Sequence, residues 1–238
     1  MPLPKIVTPT FELDLPSSGK TISYRPFLVK EEKLLVIALE SEDSQQITSA
    51  IKAVISDCIL TKDVKVDQLP TFDIEYLFLN IRGKSVGEVV EVNIICPDDG
   101  ETEVKVSINL DDIQVVTDKN HTKTVKLDDT YFMDMKYPSL DQFIRNNFEF
   151  EDPDLDQSFD LIGTCIDKIY DSDEVWSTGD VSPQEVKEFL EQLNSTQFKE
   201  IEKFFSTMPK LSHTIDVKNP KTKKKNKVTL EGLSSFFA

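Results

Sequence analysis

Residues 71–88, TFDIEYLFLNIRGKSVGE, follow Pro70 and crowd Phe72, Ile74, Tyr76, Leu77, Phe78, Leu79 and Ile81 into one short stretch. A helix drawn through them has almost no polar face, and a helix that is apolar all round must be covered by other elements. The stretch therefore predicts a central helix, with residues 72–82 in the heart of the core. On its N-terminal side, TFELDLPSSGKTISYRPF (from Thr10) alternates apolar and polar positions about Pro16-Ser17-Ser18-Gly19, the pattern of a β-hairpin. Between hairpin and central helix the period changes. Leu34, Leu35, Ala38 and Leu39 form one helical stripe, and Ile47, Ile51, Val54, Ile55 and Cys58 form another. Two helices with a break near Ser41–Ser44 are expected.

On the C-terminal side the chain turns β-rich. VVEVNIIC, ETEVKVSINL, IQVV and TVKL, between Val89 and Leu127, read as a small antiparallel sheet whose first pair is closed by Pro97-Asp98-Asp99-Gly100. Beyond Tyr137-Pro138 the pattern is helical and acidic. Leu155, Phe159, Ile162, Ile166 and Tyr170 follow helical spacing, so a single helix is expected to run through them. Ser182-Pro183-Gln184-Glu185 is a capping box with Pro at the first helical position, and a following helix marked by Phe198, Ile201, Phe204 and Phe205 must stop by Pro209. LSHTIDV and NKVTL, on either side of NPKTKKK, predict a terminal hairpin. The expected class is α+β in three consecutive parts: residues 1–86, an N-terminal hairpin with a helical core; residues 87–137, a small β subdomain; and residues 138–238, an acidic helical region ending in a basic hairpin and an apolar tail.

The chain has 238 residues, 39% of them hydrophobic, with 15 Phe against only 7 Gly, which excludes global disorder. No apolar run approaches the roughly 18 residues of a membrane span, so no membrane partner is expected. The opening Met1-Pro-Leu-Pro-Lys5 lacks the charged start and apolar stretch of a secretory signal, and with three widely spaced cysteines the expectation is a cytoplasmic protein with reduced thiols. A formal charge of -16 disfavours nucleic acid as the main partner. That charge is unevenly spread: residues 141–191 carry 15 acids against 3 bases, whereas residues 199–227 carry 9 Lys against 3 acids.

Motifs for chemistry are thin. His121 and His213 are the near-neutral bases, and neither has a Ser, Cys or paired Asp at a recognisable spacing. Phosphate-binding loops, dinucleotide fingerprints, zinc-protease helices and nucleophile elbows are absent from the sequence. Asp152, Asp154, Asp156 and Asp160 imitate a calcium loop, but Gln157 stands where its Gly belongs and Gly163 where its Glu belongs. Cys96-Pro97-Asp98-Asp99-Gly100 has the shape of the C-P-x-C-G knuckle of a zinc ribbon with Asp99 in place of the second Cys; without a second Cys pair it reads as a degenerate knuckle without metal. Lys221, Lys223, Lys224 and Lys225 lack the interleaved aromatics of a nucleic-acid contact. They read as a solvated hairpin tip or a charge-steered contact with an acidic protein surface. In the last residues, Leu233, Phe236 and Phe237 either pack back on the chain or anchor a partner.

Four ordered blocks, PKIVTPTFELDLPSSGKTISYRPFLVKEEKLLVIALES, LPTFDIEYLFLNIRGKSVGE, CPDDGETEVKVSINL and LSHTIDVKNP with VTLEGLSSFF, resemble the baseplate hub assembly family of T-even-like contractile-tailed bacteriophages over nearly the whole chain. The resemblance implies a non-enzymatic morphogenesis protein without cofactor. It would work in the host bacterial cytoplasm through contacts with baseplate hub or tape-measure proteins, as an assembly factor or chaperone. Two alternatives stay open under the same resemblance: a structural subunit retained in the virion tail baseplate, and a hub-associated peptidoglycan hydrolase, which would need two carboxylates across one sugar bond. Relatives with the fuller knuckle spelling would suggest zinc, which Asp99 does not supply here.

Overall fold

The computed structural model of the chain describes residues 6–41, 43–139 and 155–232. The chain divides into two compact units, Met1–Val116 with Lys210–Ala238, and Thr117–Pro209. The three consecutive parts read from the sequence cut across these units, because the C-terminal hairpin belongs with the N-terminal half.

In the first unit, β1 (Phe11–Asp14) and β2 (Thr21–Tyr24) form the expected hairpin, in register from Phe11–Tyr24 to Asp14–Thr21. Then follow α1 (Val29–Glu40), α2 (Ser44–Cys58) and α3 (Thr71–Val86). Asp43 starts α2 by accepting the amides of Gln45 and Gln46 at 2.8 and 3.1 Å, which satisfies two of the donors that a helix N-terminus leaves free. Gly87, at φ 134, ends α3 in a backbone conformation that side chains disfavour. The α3 helix is the predicted core element: Ile74, Leu77, Leu79 and Ile81 are buried, as are Asp73 and Glu75 on the same helix. On one side it packs against α2, which packs against α1.

Its Leu79 joins Val90, Val92 and Ile94 of β3 (Val89–Ile95), Ile108 of β4 (Glu103–Asn109), Leu211 and Val217 of β10 (Lys210–Lys218) and Leu230 of β11 (Lys225–Glu231) in one core. Each such side chain contributes roughly 1.5–3 kcal/mol by leaving water. β3 shows the expected alternation, with Val90, Val92 and Ile94 buried and their neighbours exposed.

The second unit holds a four-stranded antiparallel sheet, in spatial order β6 (Thr124–Lys126), β7 (Phe132–Met135), β8 (Ile166–Tyr170) and β9 (Val175–Ser177). Among the described residues its helices are α4 (Leu155–Cys165), α5 (Pro183–Glu191) and α6 (Ser195–Thr207). Reciprocal capping boxes, Ser182 with Glu185 and Asn194 with Gln197, start α5 and α6. Met133 and Ile166 from the sheet meet Ile162, Leu190, Ile201 and Phe204 from the helices in a second core. All of this is α+β, with helices beside small antiparallel sheets.

Two expectations are corrected. The strands between Val89 and Leu127 do not form one sheet. Among the described residues β3 and β4 pair only with each other, β5 (Gln114–Val116) pairs with β10 through Leu211–Val115, and β6 joins the second unit. Period-two patterning marks a strand but not its partner, and the partner of β5 lies almost a hundred residues away. Nor does one helix run from Leu155 to Tyr170. It stops at Cys165, whose carbonyl accepts the amide of Lys136 at 2.7 Å, and Ile166–Tyr170 becomes a strand against β7. Ile166 and Tyr170 fit helical spacing and strand preference alike, and ladder hydrogen bonds decide for the strand.

Candidate protein-contact surfaces

The turn after β3 and the turn after β10 are tied together through Asp98. In the first, the amides of Asp99 and Gly100 donate to the carbonyl of Cys96 at 3.4 and 2.9 Å, and Gly100 takes φ 67. Asp99, standing where a second Cys would be, accepts the amides of Glu101 and Thr102 at 3.2 and 3.1 Å and the Thr102 hydroxyl at 2.6 Å. The hydroxyl of Thr102, then Asn219 and those amides hold its carboxyl well below the usual range. So Asp99 serves as the hydrogen-bond acceptor that closes the turn, and a zinc-ribbon knuckle is not what the geometry displays. Among the described residues no group of three or more His, Cys, Asp or Glu is placed to hold a metal ion.

Asp98 accepts from the amides of the Asn219 and Asn226 side chains at 3.0 and 2.8 Å and from the Thr222 hydroxyl. The Asn219 side chain is fully buried, and its oxygen accepts the amides of Lys221 and Thr222 at 2.8 and 3.1 Å. The basic tip is thus built on a rigid node. Lys221, Lys223, Lys224 and Lys225 all stand exposed on it, and Lys221 lies 3.4 Å from Glu101 of the facing acidic turn. Leu233, Phe236 and Phe237, together with Asp152 and Asp154 of the calcium-type loop, lie outside the described residues.

The α1 helix offers a different surface, which the sequence reading did not single out. Its buried side is fixed by charge: Glu31, itself buried, accepts Arg25 and Lys30 at 2.9 Å each and turns back to the Leu28 amide at 2.6 Å. Burial opposes that charge, but Arg25, Lys30 and the amide outweigh it and hold the carboxyl at about 2. Arg25 also donates its backbone amide to the Cys58 carbonyl at 2.9 Å, so β2, α1 and the end of α2 are locked together. With Glu31 and Ala38 turned inward, Val29, Leu34, Val36 and Ile37 face water, the last two 47% and 53% exposed. Several large apolar residues on one exposed helix are unusual for a surface that meets only solvent. The legible signal was the unbroken apolar run LLVIAL, residues 34–39, which spans more than one helical turn and so cannot all face one side.

His121 and the buried thiols of Cys58 and Cys165 sit in structural surroundings. His121 Nδ1 lies 3.0 Å from the Thr207 hydroxyl and Nε2 3.0 Å from the Tyr137 hydroxyl. Thr207 gives its own proton to the Lys203 carbonyl at 2.6 Å, so Nδ1–H donates to Thr207 and Nε2 accepts from Tyr137. The ring also packs against Tyr137 and Phe204, with centroids 5.6 and 5.3 Å away. Burial, then Lys123, pushes its pKa down. Cys58 and Cys165 are free and buried, which raises their thiols to about 11 and about 12; such thiols are inert. His213 sits mid-strand in β10 opposite Leu230.

Taken together, the chain is an α+β protein of two units in which Asp98, Asp99 and Glu31 hold turns and a helix start, and in which α1 gathers four large exposed apolar residues. The family model of the T4 bacteriophage base plate protein matches residues 8–238, and the chain belongs to that family. No curated protein and no solved structure matches it. A baseplate protein works among other phage baseplate proteins, and none of the helices among the described residues is long and apolar enough to cross a membrane.

Proposed function

We propose that this baseplate-family chain is a non-enzymatic morphogenesis factor for the central hub, binding hub or tape-measure proteins during assembly in the infected cell. The observation that carries the reading is the exposed apolar face of α1, Val29, Leu34, Val36 and Ile37, on a helix whose other side is pinned by the Arg25–Glu31–Lys30 node. Presenting apolar side chains on a pre-fixed helix lowers the ordering cost of association. The basic tip adds charge that steers encounter rather than affinity.

The test replaces Val36 and Ile37 by Glu, at positions where the free chain leaves them in water. The expected result is an unfolding midpoint within a few tenths of a kcal/mol of wild type, with loss of co-purifying hub proteins and failure to rescue a phage lacking the chain. Full rescue by the double variant would remove α1 from the function.

A further inference from the structure

The sheet of the second unit ends, on the side of the β6–β7 and β8–β9 turns, in two rings the core does not absorb. Tyr131 and Trp176 stand with centroids 6.2 Å apart at 48°, and are 40% and 39% exposed. Val175 beside them is exposed too. Among the described residues β9 pairs only with β8, so Val175–Ser177 is an open edge of the sheet. An open strand edge carrying large half-exposed apolar groups is a template for another chain.

Charge decides what that chain is. The β6–β7 turn brings Asp128 and Asp129 to this end, and the β8–β9 turn brings Asp171, Asp173 and Glu174. Asp128 and Asp171 hold the turns, accepting the amides of Thr130 and Tyr131 at 2.7 and 2.8 Å and of Asp173 and Glu174 at 2.8 Å each. Asp129 is paired with Lys126 at 2.7 Å, whereas Asp128, Asp173 and Glu174 are in no ion pair among the described residues. Aromatic faces bordered by unneutralised carboxylates attract a cation twice over, by the ring quadrupole and by the charge.

We propose that this aromatic sheet end docks a Lys- or Arg-rich segment of a different protein, whose cationic side chains lie over Tyr131 and Trp176 and pair with Asp173 and Glu174. A second copy of the chain is disfavoured as the occupant, because a net charge of -16 on each copy repels the other despite the basic tip.

Trp176 is the single Trp of the chain, so its emission reports directly on the site. The probes are a labelled peptide of alternating Arg and Ser, its Glu and Ser counterpart, and the peptide of residues 218–228 from the chain's own tip. The Arg peptide is expected to shift Trp176 emission saturably, and the Glu peptide to leave it unchanged. By peptide anisotropy, Trp176→Ala and Tyr131→Ala should each weaken the Arg peptide about tenfold at unchanged charge, a size set by a desolvated cation–π contact. Asp173→Asn with Glu174→Gln should weaken it to a similar degree while sparing the rings. Tyr131→Ala keeps the open edge intact if Trp176→Ala fails to fold. Equal weakening by removing two carboxylates of the first unit, Glu12→Gln with Asp63→Asn, with no effect of either ring variant, would overturn the proposal as mere attraction to an acidic protein. Binding of the tip peptide in preference to the Arg peptide, with self-association at low salt, would overturn it in favour of a second copy.

Discussion

Asn219 and Asp98 show how much a single side chain decides in this molecule. Asn219 is buried and bonded on both sides of its amide, to Asp98 and to the amides of Lys221 and Thr222. Asn219→Ala should therefore cost roughly 1–3 kcal/mol, the penalty of orphaned buried polar groups, read as a lower urea midpoint at unchanged slope. Lys223→Ala on the exposed tip should stay within about 0.5 kcal/mol. His121 predicts a pH effect of definite sign. Its folded pKa lies below the ordinary value of about 6.5 through burial and Lys123, opposed by Asp118. Its contribution is thus complete above that value and is lost as pH falls through the folded one. As pH falls below about 6.5 the wild-type unfolding midpoint should fall, and His121→Gln should flatten that limb. Glu31 acts at lower pH. Held at about 2, it stabilises above its usual value of about 4.3 and ceases to do so as pH falls through about 2; Glu31→Gln should remove that share of the acid transition. Neither partnership was legible beforehand. The sequence displays a lone His and an Arg-Lys-Glu neighbourhood, but Thr207 and Tyr137 reach His121 only through the fold.

Among the elements, α3 was the most legible and is the best place to test the packing. Leu77 is wholly buried, and Leu77→Ala should cost roughly 2–5 kcal/mol through lost transfer energy and a residual cavity, measured by urea or thermal unfolding. A change of a few tenths would make the helix peripheral. The hairpins and the two capped helices were legible for the same reason as α3: their signals are local, lying in period, turn residues and caps. The strand β8 was not, because Ile166 and Tyr170 satisfy both periods and the choice rests on hydrogen bonds from β7. The partners of β5 and β6 were not, because pairing is a property of distant chain. The short β7 and β9 passed unnoticed for want of length, and with β9 the exposed Trp176 edge.

At the scale of the whole molecule, the first unit is closed by the C-terminal hairpin, so residues 210–231 matter to a core begun by residues 71–116. Of the candidate contact residues, the lysines of the tip were visible in composition, and the structure adds that Lys221 faces Glu101 and that the tip rests on a buried node. The apolar face of α1 was harder to see, since exposure depends on which side α2 covers. These surfaces belong to a baseplate-family chain, and the central claim is that it binds hub or tape-measure proteins during assembly and then leaves. Quantitative mass spectrometry of purified virions beside hub complexes isolated from infected cells tests this most directly. The account predicts the chain in the cellular complexes and its absence from the finished particle. A fixed, stoichiometric amount in the virion would contradict it and make the chain a permanent subunit of the baseplate.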